Sequence, residues 1–138
     1  MTQAVITSIK VEIIKKVKSL LGEGQYIDTP SFLKAEDCDP LACVISSDSS
    51  SSYKEITQGR VFQKVCPIAL DIFLKGKRQP EIDKAVDDVL QVVLKDRSLN
   101  GLVHNIDIKK TEVKTFDNKQ KIKILMFDFE VLYHMEVS

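Results

Sequence analysis

PEIDKAVDDVLQVVLKD at residues 80–96, then RSLNGLV at 97–103, HNIDIKKTEV at 104–113, KTFDNKQ at 114–120 and KIKILMFDFEVLY at 121–133 read as helix, polar turn and β-hairpin. In the first segment Ile82, Val86, Val89, Leu90 and Val93 recur at steps of three and four, the spacing of one helix face. Pro80 suits the first helical position, where an N–H is not needed, and Glu81 and Asp83 complement the helix dipole. From Leu102 to Val113 and from Lys121 to Tyr133 the pattern becomes that of two long strands, and Asp117-Asn118 within Phe116–Lys119 marks the hairpin turn. In the last strand Leu125, Phe127, Phe129, Val131 and Tyr133 share one face. Asp128 and Glu130 share the other with Ile122, Ile124 and Met126.

Upstream, residues from about Thr2 to Leu21 predict an amphipathic helix. Its stripe is Ile6, Ile9, Ile13, Val17 and Leu20, widened by Val5 and Ile14; Thr2 is the expected N-cap and Gly22 the residue past the C-terminus. Gly22–Pro30 reads as a connector. Extended pieces are expected at Ser31–Lys34 and Leu41–Ser47, on either side of the acidic turn AEDCDP, and LACVI suits a strand buried on both faces. The serine tract Ser46–Ser52 buries nothing and is expected to be a mobile loop. Tyr53–Gln58 extends the sheet and Gly59 turns the chain. In the strand Val61–Leu74, Cys66, Ile68, Leu70, Ile72 and Leu74 form the inner face, and Pro67 is expected to mark a bulge, an edge or the strand start. The expected fold is therefore α+β: a mostly antiparallel sheet of about four to five strands, with two helices packed on one face.

The chain has 138 residues, 43% of them hydrophobic, which fits one domain with a single core over residues 1–138. Twenty basic residues balance twenty acidic ones, against the basic excess of a dedicated nucleic-acid binder; no sequence-specific nucleic-acid partner is expected. The N-terminal apolar residues are interrupted by Lys10, Glu12 and Lys15, so neither a signal peptide nor a membrane partner is expected. Three cysteines, Cys38, Cys43 and Cys66, are an odd number without CxxC spacing and suit a reducing compartment.

Candidate chemistry is sparse. Cys66 with His104 or His134 has the ingredients of a nucleophile–base pair, but Cys66 falls on the apolar face, where a thiol behaves as a small hydrophobe. Glu36, Asp37, Cys38, Asp39 and Cys43 crowd one loop without zinc-ligand spacing, which reads as solvated acids. Lys75, Lys77, Arg78, Lys109, Lys110, Lys114, Lys119, Lys121 and Lys123 form either a basic patch or, as the plainer reading, charged strand edges. No phosphate-binding loop, GxSxG or HExxH occurs. No catalytic residue, cofactor or metal is assigned.

The segment KDRSLNGLVHNIDIKKTEV resembles the D-x-[ST]-L-x-G-L step of tail terminator and minor tail proteins of long-tailed bacteriophages, the group that includes the tail protein U of lambda-like phages. Asp96, Ser98, Leu99, Gly101, Leu102 and Val103 match it. VCPIALDIFLKGK resembles the strand before the family's second helix, and the coarse similarity runs from about Val5 to Glu136. Family members often carry two glycines where this chain has Asn100-Gly101. The resemblance implies a non-catalytic virion protein, made in the bacterial host cytoplasm. It implies a ring of about six copies that caps the tail tube, stops its elongation and meets the head connector. Its partners would be further copies of itself, the tail tube protein and head-connector proteins, with Ser46–Tyr53 and Gly76–Gln79 on the axial loop faces. A head–tail completion protein of related fold and a small α+β enzyme or ligand-binding domain are the alternatives.

Overall fold

A computed structural model describes residues 5–22, 25–27, 41–46, 51–119 and 121–137. The element order is α1 (Val5–Leu21), β1 (Gln25–Ile27), β2 (Leu41–Ser46), β3 (Ser52–Thr57), β4 (Val61–Lys75), α2 (Gln79–Leu94), β5 (Asn105–Asp117) and β6 (Ile122–Glu136). The fold is α+β, with a mostly antiparallel sheet covered by two helices on one face, as its sequence predicts. Six strands are described, in the order β1-β2-β4-β6-β5, with β3 also paired to β4.

The centre of the sheet is the antiparallel pair β4–β6, in unbroken register from Val61↔Glu136 to Lys75↔Ile122. Residues directly opposite in such a pair share a face. Cys66 therefore meets Val131, Ile68 meets Phe129, Leu70 meets Phe127 and Ile72 meets Leu125, all of them buried. Onto this face pack Ile9, Ile13, Ile14 and Val17 of α1 and Ile82, Val89 and Val93 of α2. The alternation predicted for both strands is the observed one.

Helix limits follow local chemistry. At the end of α1, Gly22 takes φ +81° and its N–H donates to the Lys18 carbonyl at 3.0 Å, a left-handed close that glycine adopts without steric cost. Helix α2 begins at Gln79, so Pro80 occupies the second helical position rather than the first. The Glu81 carboxylate accepts the Arg78 N–H at 3.4 Å in that turn. Two residues of the predicted α1 stripe lie outside the core, Val5 at 45% and Leu20 at 36% exposure, while the adjacent Ile6 and Leu21 pack against it. Thr2 lies outside the described residues.

Other expectations are revised. The connector Gly22–Pro30 contains strand β1, which pairs in parallel with β2. Of the serine tract, Ser46 ends β2 and Ser52 opens β3, and residues 47–50 lie outside the described residues. Gln79 belongs to α2, Ser46 to β2, and Ser52 and Tyr53 to β3, so these residues of the segments assigned to axial loops are not in loops. The pieces at Ser31–Lys34 and the acidic turn at 35–40 lie outside the described residues.

Pro67 is neither at a bulge, nor on an edge strand, nor at a strand start; it sits inside the central strand opposite Glu130. The reason lies on the other side of β4. There β2 pairs as far as Ser46↔Ile68, and β3 begins only at Ser52↔Val65. Pro67 occupies the junction between these two partners, the one stretch of β4 where a missing N–H costs no ladder bond.

Truncation of Phe127, fully buried at the middle of this pair, is expected to cost about 3–5 kcal/mol, whereas Val5→Ala changes stability by less than about 0.5 kcal/mol. Urea unfolding midpoints of the two variants measure the contrast.

Candidate functional site

The step from α2 to β5 is a network closed on itself. Asp96 Oδ2 accepts the Asn100 N–H at 2.7 Å and Lys16 Nζ of α1 at 3.2 Å, and Asp96 Oδ1 accepts the Ser98 hydroxyl at 2.9 Å. Ser98 Oγ accepts the Gly101 N–H at 3.2 Å. The backbone adds Leu99 N–H to the Asp96 carbonyl, Leu102 N–H to Leu99 and Val103 N–H to Ser98. Leu99, Asn100 and Gly101 all take positive φ, at 47°, 60° and 84°. Glycine and asparagine tolerate this region, whereas a leucine there costs about 1–2 kcal/mol. Leu99 is fully buried, which supplies about 1.5–3 kcal/mol in return.

Every residue of the motif thus has a structural task. Asp96 joins the turn to α1, Ser98 and Gly101 shape it, and Leu99 and Val103 anchor it in the core, with half-buried Leu102 packed against them. Just beyond, the Arg97 guanidinium pairs with Asp107 and donates to Asn105 at 3.0 Å, tying the turn to the start of β5.

Hydrogen bonds from Asn100 and Ser98, followed by the Lys16 ammonium, hold the Asp96 carboxyl below its ordinary range despite an opposing desolvation. On the uncovered face of the sheet Asp71 behaves in the opposite sense. Partial burial and then the neighbouring Asp128 carboxylate push its pKa up.

The remaining sequence candidates fall apart or regroup. Cys66 is fully buried on the inner face, with its thiol against the Pro67 carbonyl at 3.6 Å, while His104 and His134 are exposed. The imidazoles meet each other instead, His104 Nε2 lying 3.0 Å from His134 Nδ1. Asp37, Cys38 and Asp39 lie outside the described residues, as does the Cys43 side chain. No group of three or more His, Cys, Asp or Glu side chains suited to a metal ion occurs among the described residues. Three of the hairpin lysines are matched by acids: Lys109 with Glu130 at 3.5 Å, and Lys110 and Lys114 with Glu112 at 3.5 and 3.4 Å. Lys123 donates to Thr115 at 3.0 Å. These pairings are those of a solvated, charge-balanced hairpin. A shallow open depression between the helices, lined by Leu20, Asp88, Gln91, Val92 and Lys95, encloses no concave site.

All six residues of β3 are exposed, so neither helix covers that end of the sheet. Tyr53 (54%) and Ile56 (47%) stand there, and Met135 and Val137 close the neighbouring end of β6. Lys64 lies over both the Tyr53 and Tyr133 rings, at 5.5 and 5.7 Å, and binds the three strands into one arm. The apolar residues of a short, polar-looking strand were the available signal.

Compared with known proteins, the chain matches no protein-family model and no curated protein sequence.

Asp96→Ala is expected to cost about 1–2 kcal/mol at neutral pH, the scale of a lost cap. Because the folded-state pKa of Asp96 is depressed, its contribution is present above the unfolded value of about 3.9 and is lost as pH falls through the folded value. The gap between the two proteins in thermal midpoint should therefore narrow on acidification. Asp71→Asn has the reverse sign. The raised pKa makes the ionised form a burden at neutral pH, so the variant gains about 0.2–1 kcal/mol there, and the gain vanishes below the unfolded carboxyl pKa.

Proposed function

We propose that this chain is a structural virion protein of a phage or prophage, resembling a tail terminator that closes as a ring on the tail tube, stops its growth and joins it to the head. The observation that carries the reading is the Asp96–Val103 step, set between a helix and a long hairpin in the order that the tail-terminator resemblance implies. The exposed arm of β3, β4 and β6 supports it. Tyr53, Ile56, Met135 and Val137 make an apolar rim on a rigid sheet, and such a rim suits contact with a neighbouring subunit. A ring needs heterologous contact, in which one part of each copy meets a different part of the next. A stiff arm at one end of the sheet meets that need. The burial of Cys66 away from both histidines weighs against the enzyme reading.

Light scattering and negative-stain images of the purified chain are expected to show a closed ring of about six copies. Ile56→Lys should shift it to a monomer that keeps the native circular dichroism spectrum, because Ile56 is exposed in the isolated fold. Deleting the gene from the genome that encodes it should yield overlong tails without heads. Tails of normal, uniform length would sink the proposal.

A further inference from the structure

The two helices carry opposite charge. Helix α1 has Lys10, Lys15, Lys16 and Lys18 against Glu12 alone, and α2 has Glu81, Asp83, Asp87 and Asp88 against Lys84 alone. Attraction of acids to a helix N-terminus and of lysines to a C-terminus accounts for Glu81, Asp83 and Lys18. It accounts for neither Lys10, in the first half of α1, nor Asp87, in the middle of α2.

Contacts between the helices fix which flank of each looks away from the other. Lys16 reaches Asp96 at 3.2 Å, and Leu20 lines the depression with Asp88, Gln91 and Val92. At about 100° per residue, the flank of α1 across its buried stripe from Lys16 carries Lys10, Ile14, Lys18 and Leu21. The corresponding outer flank of α2 carries Asp83, Asp87, Leu90 and Leu94. Helix α1 lies against β1 and β2, and α2 against β5, at opposite edges of the sheet. One edge of the helical layer is therefore basic and the other acidic. The ion pairs of the two helices are Lys15–Glu12, Lys16–Asp96, Arg78–Glu81 and Lys84–Asp88; Lys10, Lys18, Asp83 and Asp87 enter none among the described residues.

We propose that the Lys10–Lys18 flank of α1 docks on the Asp83–Asp87 flank of α2 in a second copy of this chain, with the half-buried Leu21, Leu90 and Leu94 supplying apolar contact. Complementary charge singles out a second copy, because each flank finds its counterpart on the opposite edge of an identical molecule. A chain with no net charge also has no overall repulsion to overcome. Since the flanks lie on opposite edges, the contact is head to tail, the heterologous kind that a ring needs. This contact rests on the self-assembly proposed above and adds a charged surface to the apolar one of the arm.

The test is sedimentation velocity of the full chain over a range of concentrations. The wild type should self-associate in low salt, and raising the ionic strength from about 0.05 to 0.5 M should weaken the association. Lys10→Glu with Lys18→Glu, and separately Asp83→Lys with Asp87→Lys, should each weaken it at least about tenfold while the circular dichroism spectrum stays native. An equimolar mixture of the two variants should assemble again, since the acidic flank made in one meets the basic flank made in the other. A wild-type chain that is monomeric in low salt overturns the contact and leaves the flanks to a foreign partner. Variants that assemble as well as the wild type, or a mixture that stays monomeric, overturn it too. If those variants still close rings, the contact fails and the tail-terminator reading stands; charge-dependent assembly into open chains keeps the contact and sinks the ring.

Discussion

The pairing of β4 with β6 is the constraint on which the rest depends. Two fifteen-residue strands run in unbroken register, and their facing residues stack the apolar rows Cys66–Val131, Ile68–Phe129, Leu70–Phe127 and Ile72–Leu125 on one side. A slip of one residue would turn every one of these side chains to the uncovered face. Both helices lay their stripes on this surface, and each remaining described strand except β1 pairs directly with β4 or β6. The chain between the two strands must then cross the inner face as α2 and return as β5, and the turn at Asp96–Val103 is where it reverses.

That turn shows how a strained backbone is held. Three successive residues take positive φ, one of them a leucine. Burial of Leu99 offsets its conformational cost, and the Asp96 carboxylate collects donors from the turn and from α1. The link to Lys16 crosses eighty residues of sequence, so the turn also fixes where α1 sits relative to α2. The acid, the hydroxyl and the glycine direct their polar groups inward, to the turn itself. A motif spent in this way shapes the chain, and recognition of a partner falls to other surfaces.

How much of this was legible follows from the range of each interaction. Alternation in residues 66–74 and 125–133 is local, and it marks the inner face because period two has only one meaning beside a covered surface. The helix stripes and the Asp117-Asn118 turn are local as well, the latter with the Lys119 N–H bonded to Asp117 Oδ1 at 2.9 Å. Features set by distant partners were hidden. Strand β1 has three residues, too few for a period, and its partner lies beyond residue 40. Pro67 argued against a central position because the switch from β2 to β3 along β4 cannot be seen from β4 alone. The meeting of His104 with His134 depends on register across thirty residues. Of the candidate site, the motif residues were legible and their mutual bonds partly so, since Asp-x-Ser turns bond locally. The exposed arm was not, because exposure of Tyr53 and Ile56 depends on where the helices stop.

The two faces of the sheet divide the work of the molecule. The inner face is filled by helices and makes the fold stable. The outer face carries the half-buried Asp71 beside Asp128, a like-charge contact that a protein selected for stability alone would have little reason to keep. The same economy applies to the arm of β3, β4 and β6, where apolar side chains stand in water. Stability is supplied on one side, while the like-charge pair lies on the other and exposed apolar residues stand at both ends, in the arm and at Phe116 beside the hairpin turn. In the assembly proposed above such costs would be recovered, because burial between subunits desolvates an apolar rim and brings new partners to the acids. The hairpin lysines fit the same division: matched by Glu112 and Glu130, they keep the edge strand β5 soluble and discourage stray pairing. On the proposed reading, the arm, where Tyr53 and Ile56 stand exposed, is the surface for contact with the next copy.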